Sequence, residues 1–200
     1  MIQLTDMTGL ASSTVVIVAV IAMLPGVARL QKNHFALLAC VIVILVLIPF
    51  GGLPLAAYVR GVTGDLSITS LLLLLSVILN RLTGWQPFDA QSKVVLFFLV
   101  ALTAIGLYPL ALGIGYFDPY RLGYGNLWFM GVLLLLALAA CFRQIPVVAL
   151  AIALAVFAWS IGWYESTNLW DYLLDPLLAI YAVSALMKCG IQRGSGKAEA

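Results

Sequence analysis

Apolar residues in this chain form long continuous runs that are separated by short polar segments. The runs are residues 10–24, 35–48, 66–79, 94–114, 127–142, 146–164 and 169–188. A helix that crosses the hydrocarbon core of a bilayer needs about 20 apolar residues. The shorter runs reach that length only with interfacial residues at their ends or in a thinner bilayer. The pattern predicts an all-α integral membrane protein, a polytopic bundle of about seven transmembrane helices.

The basic residues indicate how such a bundle is oriented. If the N-terminus lies outside, only Arg60 and Arg121, of the 10 lysines and arginines, fall in outside segments. Lysine and arginine are concentrated on the cytoplasmic side of membrane proteins. An even number of helices would destroy this alternation. We therefore expect the N-terminus outside and the C-terminus in the cytoplasm.

The composition agrees with this interpretation, because 64% of the residues are hydrophobic and only 9% are charged. Soluble domains carry about a quarter charged residues. A soluble enzyme, a disulfide scaffold and a nucleic-acid-binding protein are thereby excluded. The polar gaps are too short for a soluble domain, so we expect one transmembrane domain at 1–191 and a short disordered cytoplasmic tail at 192–200. The first run lacks a preceding basic segment, which argues against a cleaved signal peptide.

The residues that most catalytic and metal sites require are scarce. His34 is the single histidine, and the three cysteines show no C-x-x-C spacing. We expect no metal site and no cofactor. No catalytic machinery is evident, although the sequence does not decide whether the protein is an enzyme.

A helix break follows the second run. Pro49 and Pro54 remove backbone donors, and Gly51 and Gly52 between them allow a sharp change of direction. Broken helices of this kind line binding sites in transporters. The sequence leaves open whether residues 49–61 re-enter the bilayer or form an interfacial helix with Asp65 capping the third helix.

Polar and aromatic residues concentrate in the segments predicted to lie outside. The candidate residues for an outer-face binding site are Arg60, Asp65, Asp118, Tyr120, Arg121, Tyr124, Glu165, Trp170, Asp171 and Asp175. Aromatic residues favour both membrane interfaces. Here they lie mainly toward the outside, with Trp85 as the clear inner counterpart. This asymmetry favours a site for a lipid headgroup, a glycan or a protein partner.

Asp175 is the most unusual of these residues. It lies about 9 Å into the last run if that run is one helix beginning near residue 169. A carboxylate at that depth is costly, so we expect a kinked helix in which Asp175 pairs with Arg60 or Arg121. The alternative is that Asp175 caps a helix that begins with Pro176. Asn126 is the expected cap of the fifth helix.

The leading hypothesis is an accessory or assembly subunit of bacterial envelope biogenesis in the inner membrane. Its expected partners are membrane lipids and a second membrane protein subunit, with no nucleic acid. One alternative is a small-solute or lipid transporter that uses the break at 49–54 and Asp175. Another is an outer-facing transferase with Asp65, Asp118 or Asp175 as its base.

Overall fold

The computed structural model describes residues 4–198, with side chains over 5–191. The protein is all-α, with 76% of its residues in helices. The longer helices are α1 (Leu4–Met23), α3 (Lys32–Leu47), α5 (Ile68–Thr83), α6 (Ala90–Ala111), α7 (Leu127–Phe142), α8 (Pro146–Ser160) and α10 (Pro176–Ala198). The shorter ones are α2 (Pro25–Ala28), α4 (Leu55–Thr63), α9 (Leu169–Leu173) and the 3-10 helix η1 (Pro119–Gly123). The prediction of an all-α protein is confirmed.

Two of these helices are long and apolar enough to cross a membrane, Thr5–Met23 in α1 and Ala90–Ala111 in α6. Five further helices are apolar but shorter. The last of the predicted runs does not form the expected kinked helix. It is divided into α9 and α10, because Leu174 is extended (φ −145°, ψ 137°) and Pro176 starts a new helix. Helix α10 extends through most of the segment expected to be a disordered tail, and residues 199–200 lie outside the described residues.

The break after α3 forms a tight hairpin. Two-residue strands β1 (Pro49–Phe50) and β2 (Leu53–Pro54) pair in antiparallel fashion. Gly51 and Gly52 form the turn with φ angles of 65° and 98°, which side chains with a Cβ rarely adopt. The hairpin leads into α4, which packs against α1 and α3. Residues 55–63 therefore lie beside the bundle as a short helix of their own.

The helices enclose two hydrophobic clusters. The larger cluster lies among α5 to α10, where the small residues Ala151 and Ala155 of α8 allow close helix packing. The smaller cluster joins α1, α3 and α4 around Phe35, which is completely buried. Many large apolar side chains instead point away from both clusters, such as Ile105 on α6 and Leu135 on α7, which are 68% and 67% exposed.

Charged residues divide between the two ends of the bundle. One end, here called the acidic end, carries Asp6, Asp65, Asp118, Glu165, Asp171 and Asp175. The start of α1 meets the segment after α8 there, where the Thr8 hydroxyl donates to the Trp163 carbonyl over 2.5 Å. The opposite end, here called the basic end, carries Arg29, Lys32, Arg81, Lys93 and Arg143. Lys32 there donates to the Thr83 carbonyl over 2.8 Å. Polar contacts at each end therefore hold neighbouring segments together.

A substitution at Gly123 tests how closely η1 packs on α9. A Cβ added to Gly123 would overlap the buried Asn168 amide, which donates to the Tyr120 carbonyl over 2.9 Å. We expect Gly123→Ala to lower the free energy of unfolding by about 1–3 kcal/mol, as overpacking usually does. Thermal melting in detergent measures this loss.

Gly131→Ala is the matched control. Its added Cβ would meet no atom within 4 Å, and Gly131 lies inside α7. Replacing a helical glycine by alanine stabilises by about 0.5–1 kcal/mol. The two variants should therefore shift the melting temperature in opposite directions. Equal shifts would contradict the packing described here.

Candidate functional site

Asp175 binds the starts of two helices at the acidic end. Its Oδ1 accepts from the backbone N–H of Leu178 over 2.8 Å, which makes Asp175 the cap of α10. Its Oδ2 accepts from the Ser67 N–H over 3.1 Å and from the Ser67 hydroxyl over 2.7 Å. The Ser70 hydroxyl donates to the same oxygen. Since Ser67 caps α5, one carboxylate joins the N-termini of α5 and α10.

The pairing of Asp175 with an arginine, which the sequence suggested, is wrong. Asp175 is only 5% exposed, and hydrogen-bond donors of α5 and α10 surround its carboxylate. Helix N-termini carry partial positive charge, so they stabilise a carboxylate without a cation. Arg60 is engaged elsewhere, and Arg121 is exposed. The alternative, a cap on a helix that begins with Pro176, is the arrangement observed.

Arg60 is the centre of a second cluster. Its guanidinium binds Asp65 bidentately, with Nε–Oδ1 and Nη2–Oδ2 distances of 2.7 and 2.9 Å. Asp6 and Glu165 lie 3.7 and 3.5 Å from the same guanidinium. The hydrogen bond with Asp65 raises the pKa of Arg60, and the charges of the three carboxylates add to that effect. Arg60 thereby links α1, α4 and the segments before α5 and α9.

The Arg60 side chain packs on α1 at a glycine. A Cβ added to Gly9 would overlap the guanidinium, so only glycine lets Arg60 approach the helix this closely. Asp65 is used as a partner of Arg60, whereas Ser67 caps α5. The expectation that Asp65 caps the third long helix is therefore wrong.

A third cluster surrounds Asp171. The Tyr120 hydroxyl lies 2.8 and 2.9 Å from the two carboxylate oxygens, and the Ser166 hydroxyl donates over 2.5 Å. The three groups are half-buried. Burial raises the pKa of Tyr120, and its hydrogen bond with Asp171 raises it further. Asp171 thus binds neutral hydroxyl donors and has no ion pair in the part of the chain that the structure describes.

Trp170 fixes η1 against α9. Its indole N–H donates to the Pro119 carbonyl over 3.0 Å, and its ring packs on Phe129 with centroids 4.4 Å apart. Asn168 accepts from the Trp170 N–H over 2.9 Å and caps α9. These contacts tie the two loops of the acidic end together and set the position of Tyr120 and Asp171.

Between these clusters lies a cleft of about 360 Å³, within the size range of ligand pockets. Its carboxylates are Asp65, Asp171 and Asp175. Its aromatic walls are Tyr108, Tyr120, Tyr164 and Trp170, and Ser166 adds a hydroxyl. No lysine or arginine lines the cleft in the described part of the chain. The cleft therefore presents hydrogen-bond acceptors and aromatic faces to a ligand.

The structure brings some of the predicted residues together and separates others. Asp65, Tyr120, Trp170, Asp171 and Asp175 line the cleft. The remaining candidates lie around it: Arg60 and Glu165 form the ion-pair cluster, Asp118 caps η1, and Arg121 and Tyr124 are exposed. The hairpin lies apart from the cleft, beside an apolar cavity lined by Leu45, Ile48, Phe50, Leu55 and Tyr58.

Several residues of the site were not among the candidates. Ser67, Ser70 and Ser166 supply donors to the aspartates, and Tyr164 joins Ser12 to the Leu66 carbonyl over 3.1 and 2.8 Å. Ser67 could have been recognised as a cap, because serine is preferred immediately before a helix. Its contact with a residue 108 positions away leaves no local signal. Asn126 caps α7 as expected.

No protein-family model, curated protein or solved structure matches this chain. Among the residues with described side chains, no three His, Cys, Asp or Glu come close enough to hold a metal ion. The carboxylates and rings that line the cleft offer hydrogen-bond acceptors and aromatic packing to a ligand.

Removal of the Asp175 carboxylate should be strongly destabilising. Asp175→Ala removes the cap of α10 and leaves the buried Ser67 N–H without its acceptor. We expect the free energy of unfolding to fall by about 3 kcal/mol, since a lost cap costs about 1 and an unsatisfied buried donor about 1–3. Thermal melting in detergent provides the measurement.

Asp118→Ala is the control for a lost cap alone. Asp118 accepts from the Tyr120 N–H over 2.9 Å at the start of η1 and is only half-buried. Its replacement should cost about 1 kcal/mol. If both variants melt at the same temperature, Asp175 is an ordinary cap and does not join two helices.

Tyr120 should make the folding stability of the protein depend on pH in the alkaline range. Its pKa in the folded protein is raised above the ordinary value of 10.0, so the unfolded chain loses this proton first. Stability from Tyr120 is therefore complete below pH 10 and is lost as the pH rises toward the folded-state pKa. Tyr120→Phe should give a shallower loss of melting temperature above pH 10 than the exposed control Tyr116→Phe. Identical pH profiles would contradict this assignment.

Proposed function

We propose that the protein is a multi-pass protein of the bacterial inner membrane with seven transmembrane helices. The belt of exposed apolar side chains on α3, α6, α7 and α10 supports this, because a soluble protein rarely leaves so large an apolar surface in water. The acidic end is then the outer end, since lysine and arginine favour the cytoplasmic side. The shorter helices would complete their spans with interfacial residues or a locally thinner bilayer.

Within that membrane, we propose that the protein is a non-enzymatic accessory subunit of envelope biogenesis. Its outer face would hold a polar headgroup of a lipid or a glycan in the cleft between Asp171 and Trp170. The observation that carries the proposal is the cleft itself, where three carboxylates and four aromatic rings surround about 360 Å³. Convergent polar groups in such a cleft are typical of a ligand site.

The rival functions find less support in the same geometry. A transferase needs a carboxylate that is free to take a proton. Asp175 already accepts four hydrogen bonds, Asp65 is bound by Arg60, and Asp118 caps η1. A transporter that combines the hairpin with Asp175 needs the two to share a path. They line different cavities, one beside Phe50 and one beside Trp170.

The orientation predicts which thiols react from outside. Cys141 lies near the end of α7 at the basic end, Cys189 lies in the second half of α10, away from the acidic end, and Cys40 lies within α3. A membrane-impermeant maleimide should therefore leave the native chain unlabelled in spheroplasts. Thr167→Cys places a thiol at an exposed position of the acidic end and should be labelled. Labelling of the native chain with protection of the new thiol would mean the reverse orientation.

If the cleft binds a headgroup, a soluble headgroup compound should stabilise the folded protein. We expect at least one of glycerophosphoethanolamine, glycerophosphoglycerol and maltose to raise the melting temperature of the purified protein, because a ligand of the folded state stabilises it by mass action. Asp171→Asn should raise, by roughly tenfold, the ligand concentration that is needed for the same shift in melting temperature. Asp118→Asn retains a good cap outside the cleft and should behave as the native protein. The proposal fails if no probe acts, or if both variants respond alike.

A further inference from the structure

A second cavity adjoins the cleft toward the middle of the bundle. It has a volume of about 80 Å³ and lies among α5, α6, α7, α8 and α9. Its walls are apolar side chains such as Leu99 and Leu136, with Thr69 and Thr103 as the hydroxyl-bearing exceptions. Helices α6 and α7 both pack against α8, and contacts between α6 and α7 are sparse. The cavity is therefore a groove between these two helices.

The polar cleft and the apolar groove share a wall. Trp170 and Leu174 line both of them. A ligand that fills both must be polar at one end and apolar at the other. Outside the groove, the apolar surfaces of α6 and α7 continue with exposed residues such as Leu102 and Leu134. An acyl chain has the shape and polarity for this path, because it can leave the groove along a surface that already faces lipid.

The charges of the cleft indicate the headgroup. Arg60 compensates Asp65, but Asp171 accepts only from the neutral hydroxyls of Tyr120 and Ser166. The uncompensated carboxylate of Asp171 repels an anionic headgroup and attracts an ammonium group. Aromatic faces at Tyr120 and Trp170 add cation–π attraction for the same group.

We propose that the site binds one membrane lipid whose headgroup ends in a protonated amine. The ammonium group lies in the cleft beside Asp171, the glycerol backbone passes Trp170 and Leu174, and one acyl chain enters the groove between α6 and α7. This inference rests on the proposed function of the cleft and names the class of its ligand.

Native mass spectrometry of the delipidated full-length protein tests the inference. With equimolar phosphatidylethanolamine and phosphatidylglycerol, we expect one retained phosphatidylethanolamine per chain and a preference of about tenfold or more over phosphatidylglycerol. Asp171→Asn should remove the preference between the headgroups. Thr103→Phe fills the groove and should lower retention by about tenfold.

Ile105→Phe is the matched control for the groove. Ile105 lies two residues after Thr103 on α6 but is 68% exposed and does not line the groove. Its replacement should leave retention unchanged. Equal losses in both phenylalanine variants would overturn the position of the acyl chain. Equal retention of both lipids, or preferred retention of a neutral glucosyl diacylglycerol, would contradict the assignment of an amine headgroup.

An experiment with water-soluble glycerophosphoethanolamine distinguishes failure of this inference from failure of the proposed function on which it rests. If it stabilises the native protein and Thr103→Phe alike, and dihexanoyl phosphatidylethanolamine binds no tighter, the cleft binds a headgroup and the lipid inference is wrong. If neither compound binds, the lipid inference is wrong, and the proposed function fails with it only when glycerophosphoglycerol and maltose also have no effect. Tighter binding of the dihexanoyl lipid to the native protein alone supports both.

Discussion

The carboxylate of Asp175 fixes the arrangement on which the acidic end depends. It accepts hydrogen bonds from the first turns of α5 and α10, two helices that are far apart in the sequence. A buried charge usually needs a cation or a comparable set of donors. Here two helix N-termini provide these donors, so the negative charge stabilises both helix starts at once. The cap also places Leu174 and α9 immediately beside α5, where they form the wall of the cleft.

The other polar clusters extend this arrangement across the acidic end. Arg60 holds α4 and the start of α1 to Asp65, and Tyr164 joins α1 to the residue before Ser67. Tyr120 and Trp170 hold η1 against α9. These contacts tie the segments around the cleft to one another. The cleft and the groove share Trp170 and Leu174 as lining residues, so a ligand that fills both must be amphipathic, as a lipid is.

Much of this organisation could be predicted from local sequence patterns. Apolar runs indicated the helices, and Asn126 before a run indicated a cap, because both signals depend on neighbouring residues. The prediction of one kinked helix for the last run is wrong, since an apolar run does not show whether an internal Asp-Pro pair kinks one helix or separates two. The site was predicted only in part. The sequence indicates Asp171 and Trp170 as candidate polar and aromatic residues, but it does not indicate their partners Ser166 and Asn168.

The helical class, the distribution of basic residues and the residues available at the acidic end follow from the sequence alone. Hydrophobic runs and charges are local properties, so they can be recognised without the packing. The partners of the polar residues depend on the packing: Asp175 with Ser67, Arg60 with Asp65, and Tyr120 with Asp171. The sequence favoured an arginine for Asp175 because a buried carboxylate needs compensation, but it could not show that two helix N-termini would provide it. Such compensation arises only when helices distant in the chain are packed side by side.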